Sequence, residues 1–202
     1  MIKNKERGKH RCVNRLGRQH ERIPSTKNKL CSLCGLNCGL CPMYLNKNCL
    51  GCGCGEENHS CKIARCGMEH NGIEYCFQCN EYPCEKYEKI DKFDSFISHR
   101  NQKSDLEKAR QIGIEAYNAE QEEKVEILGT LLAGYNDGRK KTLFCVAVNL
   151  LQIHELREVL GKIENRSDLE TLTLKEKSTF AAWLLKAAAE KNNIDLKLRK
   201  KK

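Results

Sequence analysis

Twelve of the chain's 14 cysteines fall between Cys31 and Cys84, a window of 54 residues. The same window holds seven of the 14 glycines and two of the three prolines, so its regular elements must be short. A segment of this composition has few large apolar side chains with which to build a core. The sequence therefore predicts that bound metal, and not a hydrophobic core, holds residues 31–84 together.

The spacing of these cysteines is typical of metal ligands. Four Cys-x-x-Cys pairs occur, and in such a pair a tight turn points both sulfurs at one ion. Zinc takes four ligands in a tetrahedron, so twelve thiolates suffice for up to three closed sites. The predicted metal ligands are Cys31, Cys34, Cys38, Cys41, Cys49, Cys52, Cys54, Cys61, Cys66, Cys76, Cys79 and Cys84.

The compartment favours metal over disulfides. Residues 1–30 lack the apolar segment of a secretory signal, and no stretch approaches 18 consecutive apolar residues. We therefore expect a cytoplasmic protein without a membrane span. Cytoplasmic thiols are kept reduced, so a dense set of cysteines there indicates metal binding.

The metal itself has two candidates. Zinc is the first, but Cys31-x2-Cys34-x3-Cys38-x2-Cys41-Pro42 partly matches bacterial ferredoxin runs, in which Pro follows the last Cys, although the spacings come in a different order. An iron-sulfur cluster acting in electron transfer or redox chemistry is therefore the alternative. His59 and His70 lie in the window, but cysteines are numerous enough that we interpret both as surface histidines.

Positive charge is concentrated at the two ends of the chain. Residues 1–30 carry a net +8 and residues 191–202 a net +5, whereas the whole chain carries +9, so residues 31–190 are acidic. We interpret residues 1–29 as a disordered basic arm and residues 200–202 as a basic tail. Basic ends also suit polyanions, so a nucleic-acid-binding module that uses zinc knuckles and these arms is a further alternative.

The residues after the cysteine window show helical spacing of apolar side chains. Helices are predicted from Glu85 toward Ile97, from a Ser104–Glu107 capping box onward, over 139–151, over 154–163, and from a second capping box, Thr173–Glu176. Cys145 and Trp183 are predicted to face the core. The predicted fold class is α plus irregular, with a metal-stapled module over 30–84 and an α-helical region over 85–199.

Catalytic motifs are absent from the sequence. It shows no Ser/His/Asp order, phosphate loop or dinucleotide-binding fingerprint. The segment Asn136-Asp-Gly-Arg139 reads as a turn before a helix. The sequence therefore favours a non-catalytic role, in which the helical region docks a protein partner.

Ten of the cysteines occur in four short motifs that together resemble a known family. These are Cys34-Gly-Leu-Asn-Cys-Gly-Leu-Cys-Pro-Met-Tyr44, Cys49-Leu-Gly-Cys52, Cys61-Lys-Ile-Ala-Arg-Cys66 and Gly72-Ile-Glu-Tyr-Cys-Phe-Gln-Cys-Asn-Glu-Tyr-Pro-Cys-Glu85. Over about residues 30–90 the chain resembles the bacterial and archaeal Cys-rich family catalogued as domain of unknown function 3795. The resemblance implies metal binding and no substrate. Cys31 and Cys54 lie outside the family's motifs.

Overall fold

The computed structural model describes residues 30–52, 61–70 and 73–201, and over these residues the protein contains seven α-helices and no β-strand. The predicted class, an irregular Cys-rich segment followed by α-helices, is therefore confirmed, and the metal staple stays a prediction. The basic arm, Cys54 and His59 lie outside the described residues. The helices are α1 (Pro42–Leu45), α2 (Lys62–Glu69), α3 (Gln102–Ile112), α4 (Ile114–Gly134), α5 (Lys141–Leu150), α6 (Ile153–Glu164) and α7 (Leu174–Lys191).

The hydrophobic core lies among the last four helices, α4 to α7. Helix α4 packs against α3, α5, α6 and α7, and α6 packs against α7. Fully buried side chains at the centre include Leu131, Phe144 and Leu185. As predicted, the apolar face of α5 is buried, Cys145 included. Burial of this face supplies the main stabilisation of the helical region.

The Cys-rich segment is joined to the helices by inserted side chains, of which Leu40 is the most deeply buried, and by hydrogen bonds. Leu40 is fully buried in the core that α4 and α5 build. The side-chain amide of Asn37 donates to the backbone carbonyl of Gln121 (3.3 Å) and to the side-chain Oε1 of Gln121 (3.2 Å). These buried contacts fix the first knuckle against α4.

Two of the predicted helices differ from the observed ones. Residues 85–97 form only a 3-10 turn, Glu85–Tyr87, which ends where Glu88 becomes extended and is followed by a left-handed conformation at Lys89 (φ 56°). The predicted helix through Ile112 is interrupted at Gly113 (φ 85°), which separates α3 from α4. The interruption rotates the buried face, so Ile112 is exposed while Tyr117 is buried.

The first predicted capping box is wrong, and the second is confirmed. Helix α3 begins at Gln102, so the Ser104 hydroxyl lies inside the first turn and donates to the Asn101 carbonyl (2.9 Å). At α7 the Thr173 hydroxyl accepts from the Glu176 amide (3.4 Å), and the Glu176 carboxylate accepts from the Thr173 amide (2.9 Å). Only the second arrangement satisfies free amides at a helix N-terminus.

This difference predicts a matched pair of mutational effects. Replacing Thr173 with Ala removes a cap and is expected to lower the free energy of unfolding by about 1 kcal/mol. Replacing Ser104 with Ala is expected to change it by less than about 0.5 kcal/mol. Urea unfolding of both variants measures the difference, and equal losses would contradict the observed start of α3.

Trp183 is not a core residue, contrary to the sequence-based prediction. It lies on α7 with 60% of its surface exposed, while its neighbours Leu184 and Leu185 are buried. The side of α7 that packs on the core carries Leu184 and Leu185. Trp183 lies on the opposite side, although its spacing from Phe180 and Ala187 had predicted burial.

The chain after α7 crosses back over the loop that precedes α3. Arg100 donates to the Lys197 carbonyl (2.9 Å), and the Arg199 amide donates to the buried Asp94 carboxylate (2.8 Å). Burial alone would raise the pKa of Asp94, but hydrogen bonds from Arg199, His99 and Ser98 hold it below its ordinary value.

Among the described residues, no helix is long and apolar enough to cross a membrane.

Candidate metal centre

Four of the predicted ligands line one small cavity. Cys66 comes from α2, Cys76 and Cys79 come from the turn around the 3-10 helix Cys76–Gln78, and Cys84 precedes the next 3-10 turn. The cavity has a volume of about 20 Å³. A space of this size holds one atom-sized guest. Four thiols around such a space are the ligand set of a closed structural zinc site.

Local folding explains why these thiols converge. The Cys76 amide donates to the Leu33 carbonyl (3.0 Å), and the Cys79 amide donates to the Cys76 carbonyl (3.0 Å), which closes the Cys-x-x-Cys turn. A small apolar cluster surrounds them, formed by Leu33, Ile63, Tyr87 and Leu106 together with partly buried Cys34, Cys61 and Cys84. The cluster is separate from the main core, and of the four thiols Cys76 is buried while Cys66, Cys79 and Cys84 are half-buried.

Three residues that the sequence did not indicate complete the wall of this cavity. Tyr82 and Tyr87 pack edge to face with ring centroids 5.0 Å apart. The Tyr87 hydroxyl donates to the Cys34 carbonyl (3.4 Å) and lies close enough to the Cys76 thiol to lower the pKa of that thiol, while burial raises the pKa of the tyrosine itself. The Lys86 ammonium lies beside Cys66 and Cys84, and the negative charge of those sulfurs raises its pKa. The Tyr87 hydroxyl and the Lys86 ammonium therefore both favour the thiolate form of the neighbouring sulfurs.

A second group of thiols gathers around the first two knuckles. The Cys38 and Cys52 side chains are hydrogen-bonded to each other, and the Cys52 amide also donates to the Cys38 sulfur (3.4 Å). The Gly51 amide donates to the Cys49 sulfur (3.3 Å). Cys34 lies near both Cys52 and Cys61. Amide donors aimed at sulfur favour the thiolate that a metal requires.

Gly51 makes this second arrangement possible. Its φ of 85° is in the left-handed region, and a Cβ there would come 3.3 Å from the Cys38 Cβ and 3.4 Å from the Tyr44 ring. A larger residue here is strained by the positive φ, and its Cβ would also press on Cys38 and Tyr44.

Burial and mutual repulsion determine the proton affinity of the clustered thiols. Burial raises the pKa of Cys76 to about 12, with further contributions from Cys34, Cys84 and Cys66. Burial raises the pKa of Cys34 to about 11, with smaller contributions from Cys52 and Cys61. Several thiolates cannot share such a site without a compensating cation, which a divalent metal supplies.

The remaining predicted ligands point elsewhere. Cys31 is buried toward Asp105 and Glu122, and its pKa is raised by burial and by those carboxylates. Cys41 packs against the main core near Cys145, whose own pKa burial raises to about 12. His70 Nδ1 lies 2.9 Å from the Cys66 carbonyl oxygen and 3.5 Å from its sulfur, at the edge of the first group. The ligand roles of Cys31 and Cys41 stay predictions.

The thiols approach one another without forming disulfide bonds. None of the twelve described cysteines is in a disulfide. Within residues 30–52, 61–70 and 73–201, no three Cys, His, Asp or Glu side chains stand at coordination distances from a common point. Metal binding at the first group therefore requires the four sulfurs to close on the 20 Å³ cavity that they already line.

Comparison with protein-family models, with curated proteins and with solved structures finds no match to this chain.

Proposed function

We propose that this is a zinc-binding protein in which thiolate-ligated ions fold the Cys-rich module and the helices provide a docking surface. The observation that carries the proposal is the convergence of Cys66, Cys76, Cys79 and Cys84 on one small cavity. These residues come from three separate segments, which are helix α2, the Cys76–Cys79 turn and the residue before the next 3-10 turn. Without a central ion, burying four thiolates together costs free energy.

The walls of the cavity support a zinc site. The cavity has room for a single ion between the four thiols that line it. Tyr87 and Lys86 supply the outer hydrogen bonds and positive charge that offset an anionic four-thiolate zinc centre. A closed set of four protein ligands leaves no open position for substrate, which is typical of structural zinc.

The second group is proposed to bind a second ion through four of Cys34, Cys38, Cys49, Cys52 and Cys61. The amide donors to Cys38 and Cys49 support this proposal. The account therefore expects about two zinc ions per chain. The predicted interaction of the basic ends with nucleic acid concerns residues mostly outside the described part and stays a prediction.

Alkylation of cysteines tests the proposed partition of ligands. The full chain is treated with a thiol-reactive maleimide with its metal bound and again after chelation, and each cysteine is quantified by mass spectrometry. Cys66, Cys76, Cys79 and Cys84 are expected to be protected together and to become reactive together, because they share one ion. Rapid labelling of Cys79 in the metal-bound protein, while Cys76 stays protected, would contradict the assignment.

A further inference from the structure

Two phenylalanine rings are exposed on the loop that precedes α3. Phe93 is 38% exposed and Phe96 is 61% exposed, whereas the adjacent Ile97 is buried in the main core. The Lys92 ammonium lies over the Phe93 ring, 5.3 Å from its centroid. Exposed rings offer flat surfaces on which another aromatic ring can stack, and a cation beside them attracts anions.

The C-terminal segment, residues 194–201, is fixed against this loop. The Asp94 amide donates to the Arg199 carbonyl (2.8 Å), and the Arg199 amide donates to the Asp94 carboxylate (2.8 Å). The Arg199 guanidinium donates to the Asp91 carbonyl (3.4 Å). Because Phe93 directly precedes Asp94, these bonds hold the basic end of the chain beside the exposed rings.

The same segment turns its basic side chains toward water. Ile194 and Leu196 pack against the main core. The cations of the segment are all exposed, and they are Lys197, Arg199, Lys200 and Lys201. Apolar anchors therefore fix the segment to the helices and leave its cations available to a partner.

Positive charge is concentrated on the two segments that meet here. Residues 88–103 carry a net +1 and residues 194–201 a net +3, whereas residues 104–190, which include α4 to α7, carry a net −3. The exposed rings thus lie in a basic area beside an acidic helical region, and this distribution attracts a polyanion.

Most of the carboxylates in this area are engaged within the chain. The Asp94 side chain is fully buried and hydrogen-bonded, and Asp91 pairs with Lys103 (3.5 Å). The Asp195 carboxylate accepts from the backbone amide two residues further on (3.0 Å). Glu88, the first residue of the loop segment, is exposed. The cations that face water therefore outnumber the carboxylates that oppose an anionic partner.

We propose that the face formed by residues 88–103 and 194–201 binds single-stranded nucleic acid. The cations of this basic aromatic face contact phosphates, and unpaired bases stack on Phe93 and Phe96, the combination that such binding uses. A duplex keeps the faces of its bases inside the stack, so only a single strand can use the rings. The proposal goes beyond the zinc-binding function and does not depend on the metal.

A phospholipid surface is the other anionic partner that takes up phenylalanine and lysine together. To enter it, Phe93 would carry the Lys92 ammonium that lies over its ring, and the exposed Ser95 lies between the two rings in the sequence. Burying such polar groups among acyl chains costs free energy. Stacking on a base in water leaves them solvated, so the face fits a nucleic acid better than a membrane.

Photo-crosslinking locates the contact directly. The full chain is irradiated with a single-stranded oligonucleotide of about 12 nucleotides that contains iodouracil, which crosslinks to aromatic side chains stacked on it. Trypsin cleaves after Lys92 and Arg100 and so releases one peptide that contains both Phe93 and Phe96. Mass spectrometry is expected to find the crosslink in this peptide. Crosslinks confined to residues 1–30 would overturn the proposal and assign the contact to the basic arm.

A pair of exposed aromatic residues tests the stacking. Phe96→Ala is expected to weaken binding of a labelled oligothymidylate about tenfold, measured by fluorescence anisotropy. Trp183→Ala is the matched control, because Trp183 is 60% exposed but lies on α7, and it should leave binding unchanged. Circular dichroism checks that both variants stay folded. An unchanged affinity of Phe96→Ala would contradict base stacking and overturn the proposal.

Charge reversal tests the phosphate contacts. Lys200→Glu combined with Lys201→Glu is expected to weaken binding and to lower the slope of log affinity against log salt by about two. The control combines Lys175→Glu with Lys186→Glu, which makes the same change of charge at exposed positions of α7. Equal losses in the two double variants would show a response to net charge alone and would overturn the proposed face.

Vesicles separate a membrane from a nucleic acid as the partner. Co-sedimentation with vesicles of phosphatidylserine and phosphatidylcholine is expected to be the same for the unchanged chain and for Phe96→Ala. Vesicle binding that requires Phe96, together with oligonucleotide binding that does not, would overturn the proposal in favour of a lipid surface.

Discussion

Chelation of the metal is expected to unfold residues 31–84 while α4 to α7 remain helical. Binding free energy is folding free energy in a module of this kind, on the order of 10 kcal/mol for each structural zinc. Only a small apolar cluster would remain there, whereas the main core of the helices contains no metal ligand apart from the partly buried Cys41. Limited proteolysis with mass spectrometry should show new cleavage sites within 31–84 and few in α4 to α7.

Re-addition of metal supplies the control for this experiment. Zinc should restore protease resistance, and magnesium should not, because Mg²⁺ prefers oxygen ligands to thiolates. Far-ultraviolet circular dichroism should keep most of its helical signal throughout. An unchanged cleavage pattern after complete removal of the metal would show that the apolar cluster alone folds the module and would contradict the account.

Replacing Cys79 with Ser is expected to remove one whole metal ion from each chain. A site with three thiolates and a hydroxyl loses the closed tetrahedral set on which affinity depends. Elemental analysis of purified variants measures the loss. Cys145→Ala is the matched control, since this buried thiol lies in the helical core and is no part of either group.

Double variants separate the two proposed sites. Cys76→Ser combined with Cys79→Ser should lose no more metal than either change alone, because both residues serve the same ion. Cys79→Ser combined with Cys52→Ser should lose two ions, because the residues belong to different groups. Equal metal loss in the two double variants would contradict this partition.

The sequence predicts helix positions best where apolar spacing and capping agree. Thr173 and Glu176 mark the start of α7 by the same interactions that the structure contains. Ser104 and Glu107 have the same spacing, yet α3 starts earlier, because its N-terminus is held by the Asn101 side chain, which donates to the carbonyls of Asn149 and Leu150. Such contacts are distant in sequence and leave no local signal.

The sequence likewise predicts only part of the candidate site. Cysteine spacing identifies the knuckles, but it does not indicate which knuckles face each other. The structure brings Cys66 next to Cys76 and Cys84, and turns Cys31 toward Asp105. Tyr87 and Lys86 follow the last cysteine closely, and this position beside a ligand is the one signal that could have identified them.

Elemental analysis combined with an ultraviolet-visible spectrum, on untagged protein purified without oxygen, distinguishes zinc from an iron-sulfur cluster. We expect about two zinc ions per chain and no visible absorption, because zinc has a filled d shell. Iron with matching inorganic sulfide and a broad visible absorption would contradict it and would indicate redox chemistry at these thiols.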